Sequence, residues 1–512
     1  MEKGAFLKDQ KKAGIVLSYL NMGTRMAVNF LYIPVIIKYI SKEQYGLYEM
    51  MWALVNFLTL IDFGFYNTIT RFFSSALASE NNERIKETVK NSYSVYTVIV
   101  CSTIAIGALL CCGAIIFYRH ILSESDLQIM RSSMPLMVLL IGLTSAGNLF
   151  TALITAYEKF IFLKTSSIVH LLLQPSVVVF VFHFSAGIPQ LISTEIACLI
   201  LLISIYVFYC HRYLGITERP SFSFTQLSGK MFKFSFFIFL NMLADRIMWS
   251  SGQTILGIIS GKLSVTYYSL SFSFSYAFIA LNYVTAGTFY PAFAAAAEKG
   301  GLESVRALFW KTGRLQFRLT LLFACGFILL GREFIQIWLG PGFEQCYLLS
   351  GIILTGLLPD FCIINGLPAV QALNRHSKRS AITLTTAFCA LILEIILSRY
   401  FNEYGCAAAA GICLFLGNGI ATMIYYSKIG LGIKKLFAGF ARPLTAAVPA
   451  FITTYAAIQI IPDISGFKGF IFHLLMLMSI YAAFTLLIGL NKEEKQQFLR
   501  ISGINLFYNK HS

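Results

Sequence analysis

Arg25, Arg71, Arg246 and Arg318 stand inside long apolar stretches of this chain. An arginine at the centre of a bilayer costs about 2.5–3.5 kcal/mol on insertion scales. The cost falls when the side chain faces water or an anionic partner, and its planar fork suits phosphate oxygens. At 3.6 residues per turn, Ser18, Asn21, Arg25, Asn29 and Tyr32 form one stripe. Asn67, Thr68, Arg71 and Ser75 form a second, Arg246, Ser250 and Gln253 a third, and Ser271, Ser275 and Asn282 a fourth. Polar stripes on apolar helices face either a cavity or a neighbouring helix. With arginines among them, the expectation is a hydrated cavity that binds an anion. Arg25 and Arg246 are its first candidates, then Arg71, with Arg318 at the cytoplasmic entrance, close enough to a helix end to snorkel.

Acids also fall inside the apolar stretches: Asp62, Glu195, Asp245, Asp360 and Glu394. Each can neutralise an arginine on another helix. Alternatively, one or two of them exchange H⁺ or Na⁺ during transport, and Asp62 and Asp360 are then the coupling candidates. Asp62 and Arg71 lie on opposite faces of a straight helix, so the two are not an obvious pair.

The elements that must hold these groups follow from composition. Only 12% of the 512 residues are charged, whereas 57% are hydrophobic. That is too little charge to coat soluble domains, which carry about a quarter. A crossing helix needs about 20 apolar residues, and such runs fill the sequence. The runs are continuous rather than alternating, which excludes an outer-membrane barrel. The reading is an all-α polytopic membrane protein of about fourteen transmembrane helices. The spans lie near 13–38, 46–77, 88–118, 128–156, 160–183, 188–210, 229–260, 264–296, 307–331, 344–373, 378–400, 404–427, 439–461 and 467–490.

Most of the 40 Lys and Arg residues fall in alternate connections. Cytoplasmic loops retain such cations, so both termini are expected in the cytoplasm of a multi-pass protein. The same distribution accounts for the net charge of +16 without nucleic acid. The N-terminal apolar run is too long and too polar for a signal peptide and is kept as the first span. The eleven Cys lie mostly in apolar runs and behave as small hydrophobes. No metal-ligand spacing or phosphate-binding Gly-Lys-Ser/Thr loop occurs, so no cofactor and no enzymatic activity are expected.

Leu20-Asn21-Met22 before Arg25 is echoed by Leu240-Asn241-Met242 before Arg246. Both copies open a group of six spans from the same side. This predicts two parallel six-helix lobes around a central cavity, 1–215 and 216–435, plus a C-terminal helix pair, 436–490, and a cytoplasmic tail, 491–512. Pro291, Pro359 and Pro368 are candidate hinges.

The stretch Ile40-Ser41-Lys42-Glu43-Gln44-Tyr45-Gly46-Leu47-Tyr48, then Leu60-Ile61-Asp62-Phe63-Gly64 and Arg71-Phe72, resembles the polysaccharide flippases of the multidrug/oligosaccharidyl-lipid/polysaccharide exporter superfamily. The resemblance implies a flippase of the bacterial cytoplasmic (inner) membrane. Its cargo would be an undecaprenyl-diphosphate-linked oligosaccharide, moved to the outer leaflet by alternating access and coupled to an H⁺ or Na⁺ gradient. Membrane lipids and a polysaccharide polymerase complex are the implied partners. Arginines would take the diphosphate, whose hydration is otherwise lost in the bilayer, while the uncharged stripes accommodate sugar. A flippase for the lipid-linked peptidoglycan precursor and a multidrug or toxin exporter of the same superfamily are the competing readings. Organic cations favour an acidic cavity, so the basic stripes speak against the exporter. A membrane glycosyltransferase or polymerase would need a catalytic carboxylate or a large outside loop.

Overall fold

The computed structural model describes residues 2–218, 224–460, 466–491 and 494–495. The side chains of Lys3, Lys8, Lys11 and Lys12, residue Arg219 and most of the 491–512 tail lie outside what is described. Among the described residues every regular element is helical. Eleven helical runs are long and apolar enough to cross a membrane, and the chain is a multi-pass membrane protein.

In chain order the helices begin with α1 (Glu2–Ile40), α2 (Lys42–Val55) and a 3₁₀ segment (Asn56–Asp62) leading into α3 (Phe65–Ala78). They continue as α4 (Asn82–Tyr118), α5 (Glu124–Ala156), α6 (Phe160–Phe182), α7 (Ile188–Arg212), α8 (Gln226–Ile259) and α9 (Lys262–Thr288). Next come α10 (Tyr290–Leu339), α11 (Gln345–Ile363), α12 (Gly366–Ala372) and α13 (Ser377–Cys413), which runs into a π-helical stretch (Leu414–Ala421). The chain then forms α14 (Thr422–Lys428), α15 (Ile433–Ala438), α16 (Ala441–Ile460) and α17 (Phe467–Phe484), which ends in a second π-helical stretch (Thr485–Gly489).

Local chemistry sets several of these limits. Asn81 accepts hydrogen bonds from the Glu83 and Arg84 amides and caps α4. Ser123 caps α5 through the Asp126 amide, and Thr225 caps α8 through the Leu227 amide. The span expected over 46–77 is not one straight helix. Phe63 and Gly64 both take left-handed backbone angles, φ 49° and 69°, and separate α2 and its 3₁₀ extension from α3. The opposite-face relation of Asp62 and Arg71 therefore does not hold, because a break lies between them. Gly301, at φ 56°, kinks α10, and Asn402, at φ 49°, kinks α13.

The chain divides into two compact units. One comprises Met1–Ser269 with Glu394–Cys406, and the other Leu270–Leu393 with Ala407–Ser512. In the first, Phe65, Ile69 and Phe73 of α3 pack on Tyr96 of α4, Leu153 of α5 and Tyr206 of α7. In the second, Phe293 and Phe309 of α10 pack on Val370 of α12, Tyr426 of α14 and Leu436 of α15. Lipid offers no hydrophobic drive between helices, so close packing and polar bonds carry their association. The 2.6 Å contact of Thr68 and Ser235 hydroxyls, tying α3 to α8, is one such bond.

Candidate functional site

Arg25, Arg71 and Arg246 all belong to the first unit. Arg25 stands on α1 with its side chain exposed, as does Asn29 one turn on. Its charge reaches His170 of α6. Asn21, on the same stripe, is instead buried and donates to the Ser167 hydroxyl of α6 at 2.9 Å. The stripe thus serves two purposes: Asn21 joins helices, while Arg25 and Asn29 stay open.

Arg71 is exposed on α3, its guanidinium 4.5 Å from the ring centroid of Phe234 on α8. Arg246, half-buried midway along α8, donates from Nε to the Thr59 hydroxyl at 3.1 Å. Thr59 lies in the 3₁₀ segment, so the break in the second hydrophobic run supplies the hydroxyl that orients Arg246. Helix α8 therefore carries Arg246 itself and the ring against which Arg71 lies. Gln253, two turns beyond Arg246, is half-buried. Among the described residues, none of these three arginines has a carboxylate oxygen within salt-bridge distance. Arg71 lies against a ring and Arg246 is held by a hydroxyl, with the neighbouring Asp245 carboxylate acting on Arg246 only electrostatically, so the three guanidinium groups retain donors for an anion.

Asp62 ends the 3₁₀ segment, buried, and accepts from the Asn148 amide of α5 at 3.2 Å. Its position is fixed by α5 and not by Arg71.

Asn282, Arg318 and Asp360 lie in the second unit. Asn282 of α9 is buried and accepts from Gln316 of α10 at 2.5 Å, and Thr285 donates to the same Gln316 at 2.7 Å. Arg318 is 7% exposed and donates to the Gly489 carbonyl at 3.1 Å and to Glu494 at 2.5 Å. Glu494 also accepts from Arg314 at 3.1 Å. Burial alone would raise the Glu494 carboxyl. The Asn491 amide and the two arginines outweigh it and hold the group below its ordinary value.

Asp360 of α11 is 1% exposed and faces Arg379 of α13 at 3.3 Å; Arg379 also donates to the Tyr426 hydroxyl at 2.8 Å. Asp360 thus neutralises an arginine on another helix. Arg379 stands two residues inside the start of α13, at the edge of the span expected over 378–400. No spacing signal marks it as buried. Glu394, one of the acids inside an apolar stretch, belongs to the first unit, where it is wholly buried and accepts from the Ser251 hydroxyl at 2.6 Å. Among the described residues, no group of three or more His, Cys, Asp or Glu is placed to hold a metal.

Comparison with known proteins adds three findings. Residues 11–296, more than half of the chain, match the family described as polysaccharide biosynthesis protein. Over 487 residues, 91% of this chain and 93% of the relative, the sequence is 25% identical to the uncharacterized membrane protein EpsK of Bacillus subtilis (strain 168). Among solved structures, the fold is similar to the lipid II flippase MurJ in its inward closed conformation, with a TM-score of 0.70 at 15% identity, covering 92% of this chain and 98% of that one. It is also similar to an inward-facing multidrug resistance MATE family transporter of the MOP superfamily, with a TM-score of 0.62 at 10% identity, covering 80% of this chain and 98% of that one.

Proposed function

The chain belongs to the polysaccharide biosynthesis protein family, and from that premise we propose that it is a flippase for an undecaprenyl-diphosphate-linked oligosaccharide, moving it from the cytoplasmic to the outer leaflet. The fold is that of transporters rather than of an enzyme. The observation that carries the reading is the trio Arg25, Arg71 and Arg246, set in membrane-spanning helices with no carboxylate oxygen within salt-bridge distance among the described residues. A diphosphate stripped of water needs charge-assisted hydrogen bonds, and guanidinium groups supply them in pairs. Asn29 and Gln253 offer uncharged donors and acceptors for sugar hydroxyls. Arg318 enters such a cycle only when its bond to Glu494 opens, and Asn282 only when its bond to Gln316 does.

Three helical runs, Val16–Ala78, Lys262–Leu339 and Ser377–Lys428, each have the length for two crossings. Counting each twice raises the eleven runs to fourteen crossings. An even number puts both termini on one side, and the loop cations make that side the cytoplasm. The proposed moving bodies are the lobes 1–215 and 216–435, a division by span count that differs from the compact units, whose first also takes in 216–269 and 394–406, with 436–490 as an added pair and 491–512 as the cytoplasmic tail. A proton or Na⁺ gradient drives the cycle through a buried acid, and a polysaccharide polymerase complex receives the product. Asp62, which has no arginine in a salt bridge among the described residues, is better suited to that coupling than the paired Asp360.

The decisive experiment uses the full-length protein in sealed vesicles with a fluorescent undecaprenyl-diphosphate oligosaccharide. The expected result is loss of the label to a membrane-impermeant quencher as cargo crosses, with no movement of a lipophilic organic cation. Movement of the cation without movement of the lipid diphosphate would sink the reading in favour of an exporter. Equal movement of a lipid-linked peptidoglycan precursor would broaden the cargo class beyond polysaccharide repeat units.

A further inference from the structure

The second unit holds a cavity of about 730 Å³ that the arginine site does not use. Its walls come from α9, α10, α11, α13 and the π-helical stretch that follows. Phe278, Phe323, Phe327, Tyr347, Phe361 and Phe415 put rings on its walls, interleaved with Ile and Leu side chains. A Cβ on Gly356 would lie 2.4 Å from the Gly411 carbonyl oxygen, so the α11 and α13 backbones touch at this wall.

The polar groups in the lining are already engaged. Thr355 donates to the Gly351 carbonyl at 2.7 Å, and Thr320 to the Gln316 carbonyl at 3.1 Å. Asn282 donates to the Phe278 carbonyl and accepts from Gln316. Among the described residues, none that lines the cavity is charged. Ordered water needs two to four polar partners and finds few here, while sugar and phosphate would lose their hydration without compensation. A void of this volume left empty would forfeit contacts along every wall. Ile328 and Leu348, both 57% exposed, stand at the lining together with the exposed Ile412 and Leu416. The cavity therefore opens through an apolar surface of membrane-spanning helices, within reach of hydrocarbon.

We propose that this cavity binds a polyprenyl chain, the hydrocarbon part of the carried lipid, an inference that rests on the flippase reading for the identity of the lipid. Methyl branches and alkene planes suit walls made of rings, whose faces attract C–H groups and whose edges pack against flat π-systems. A straight saturated chain gains less from such walls.

The test uses the full-length protein in nanodiscs of phosphatidylglycerol and phosphatidylethanolamine, with a polyprenyl phosphate bearing a diazirine in its tail. The expected result is labelling within α10 and α11 that unlabelled polyprenyl phosphate competes away and added phosphatidylglycerol does not. Labelling is lost in Ala324→Phe/Ala408→Phe, which narrows the cavity from two walls. A diazirine-bearing phospholipid that labels the same residues, with no competition by polyprenyl phosphate, overturns the proposal in favour of ordinary acyl chains. Absence of labelling in the unaltered protein, or labelling of the narrowed variant at the unaltered level, overturns it too. Competed labelling without arginine-dependent translocation upholds the cavity and removes the flippase reading. Full translocation by the narrowed variant, with Arg25→Ala inactive, removes the cavity alone.

Discussion

Arg318 of α10 donates to the carboxylate of Glu494 at 2.5 Å, tying the middle of a long helix to residues that follow the last described one. Removing one partner of a buried pair strands the other and costs about 3–5 kcal/mol. Glu494→Gln is therefore expected to lower the thermal unfolding midpoint of the detergent-purified protein. The Glu494 carboxyl is held below its ordinary value. Its contribution is full above the unfolded value of about 4.3 and is lost as pH falls through the lower folded value. Unfolding midpoints measured down a pH series should fall more steeply for the unaltered chain than for Glu494→Gln. Parallel curves would show that the pair adds nothing.

Asp360 and Arg379 make a second pair, with Arg379 only 6% exposed. Asp360→Asn leaves a buried guanidinium uncompensated, and the expected loss is again about 3–5 kcal/mol. Adding Arg379→Gln should recover most of it, because two neutral partners carry no stranded charge. A double variant as unstable as the single one would mean that the pair is not what Asp360 provides.

Asp62 is where ion coupling is to be tested, since its carboxylate accepts from an amide, Asn148, and not from a cation. Asp62→Asn keeps that neighbour and removes the titrating group. Transport driven by an imposed proton or Na⁺ gradient should lose its dependence on the gradient, while exchange without a gradient persists. An unchanged gradient response in both Asp62→Asn and Asp360→Asn would remove these acids from the mechanism.

How far the sequence reveals all this depends on range. Bilayer thickness fixes span length, so the crossings are readable from apolar runs alone. The break at Phe63 is not, because left-handed backbone at a phenylalanine, φ 49°, has no compositional mark and follows from its surroundings. Helical spacing puts Asn21, Arg25 and Asn29 on one stripe. It does not say that α6 covers Asn21 and leaves the other two exposed. Ion-pair partners lie 19 residues apart for Asp360 and Arg379 and 176 apart for Arg318 and Glu494, distances that only the tertiary fold closes. Tyr45-Gly46-Leu47-Tyr48 was legible as a motif, but its physical reason is tertiary.

That reason is a close approach between backbones. A Cβ on Gly46 would lie 1.9 Å from the Lys262 carbonyl oxygen at the start of α9. Thr266 meanwhile donates to the Lys42 carbonyl at 2.7 Å and ties the same two helix ends together. Gly46→Val should destabilise the protein by at least the cost of overpacking, about 1–3 kcal/mol. Gly23→Ala, with nothing within 4 Å, serves as the control. Equal unfolding midpoints for the two variants would show that α2 and α9 can separate there at no cost.

The arginines give the sharpest separation of function from folding, because Arg25 and Arg71 are exposed and Arg246 is only half-buried. Alanine at Arg25 should leave membrane abundance and the unfolding midpoint nearly unchanged, and alanine at Arg246 should lower the midpoint by no more than its bond to Thr59 contributes. A hydrogen bond to a charged group contributes about 1.5–3 kcal/mol, so translocation of the lipid diphosphate should fall about tenfold or more per arginine. Lysine restores charge without the planar fork, and partial recovery is expected at both positions. Arg246→Lys also loses the guanidinium Nε that donates to Thr59, so its recovery should be the poorer of the two. Thr59→Val in the otherwise unaltered chain should then lower transport less than Arg246→Ala, since it frees the guanidinium without removing it. Full transport by both alanine variants would separate these side chains from the anion they are placed to meet.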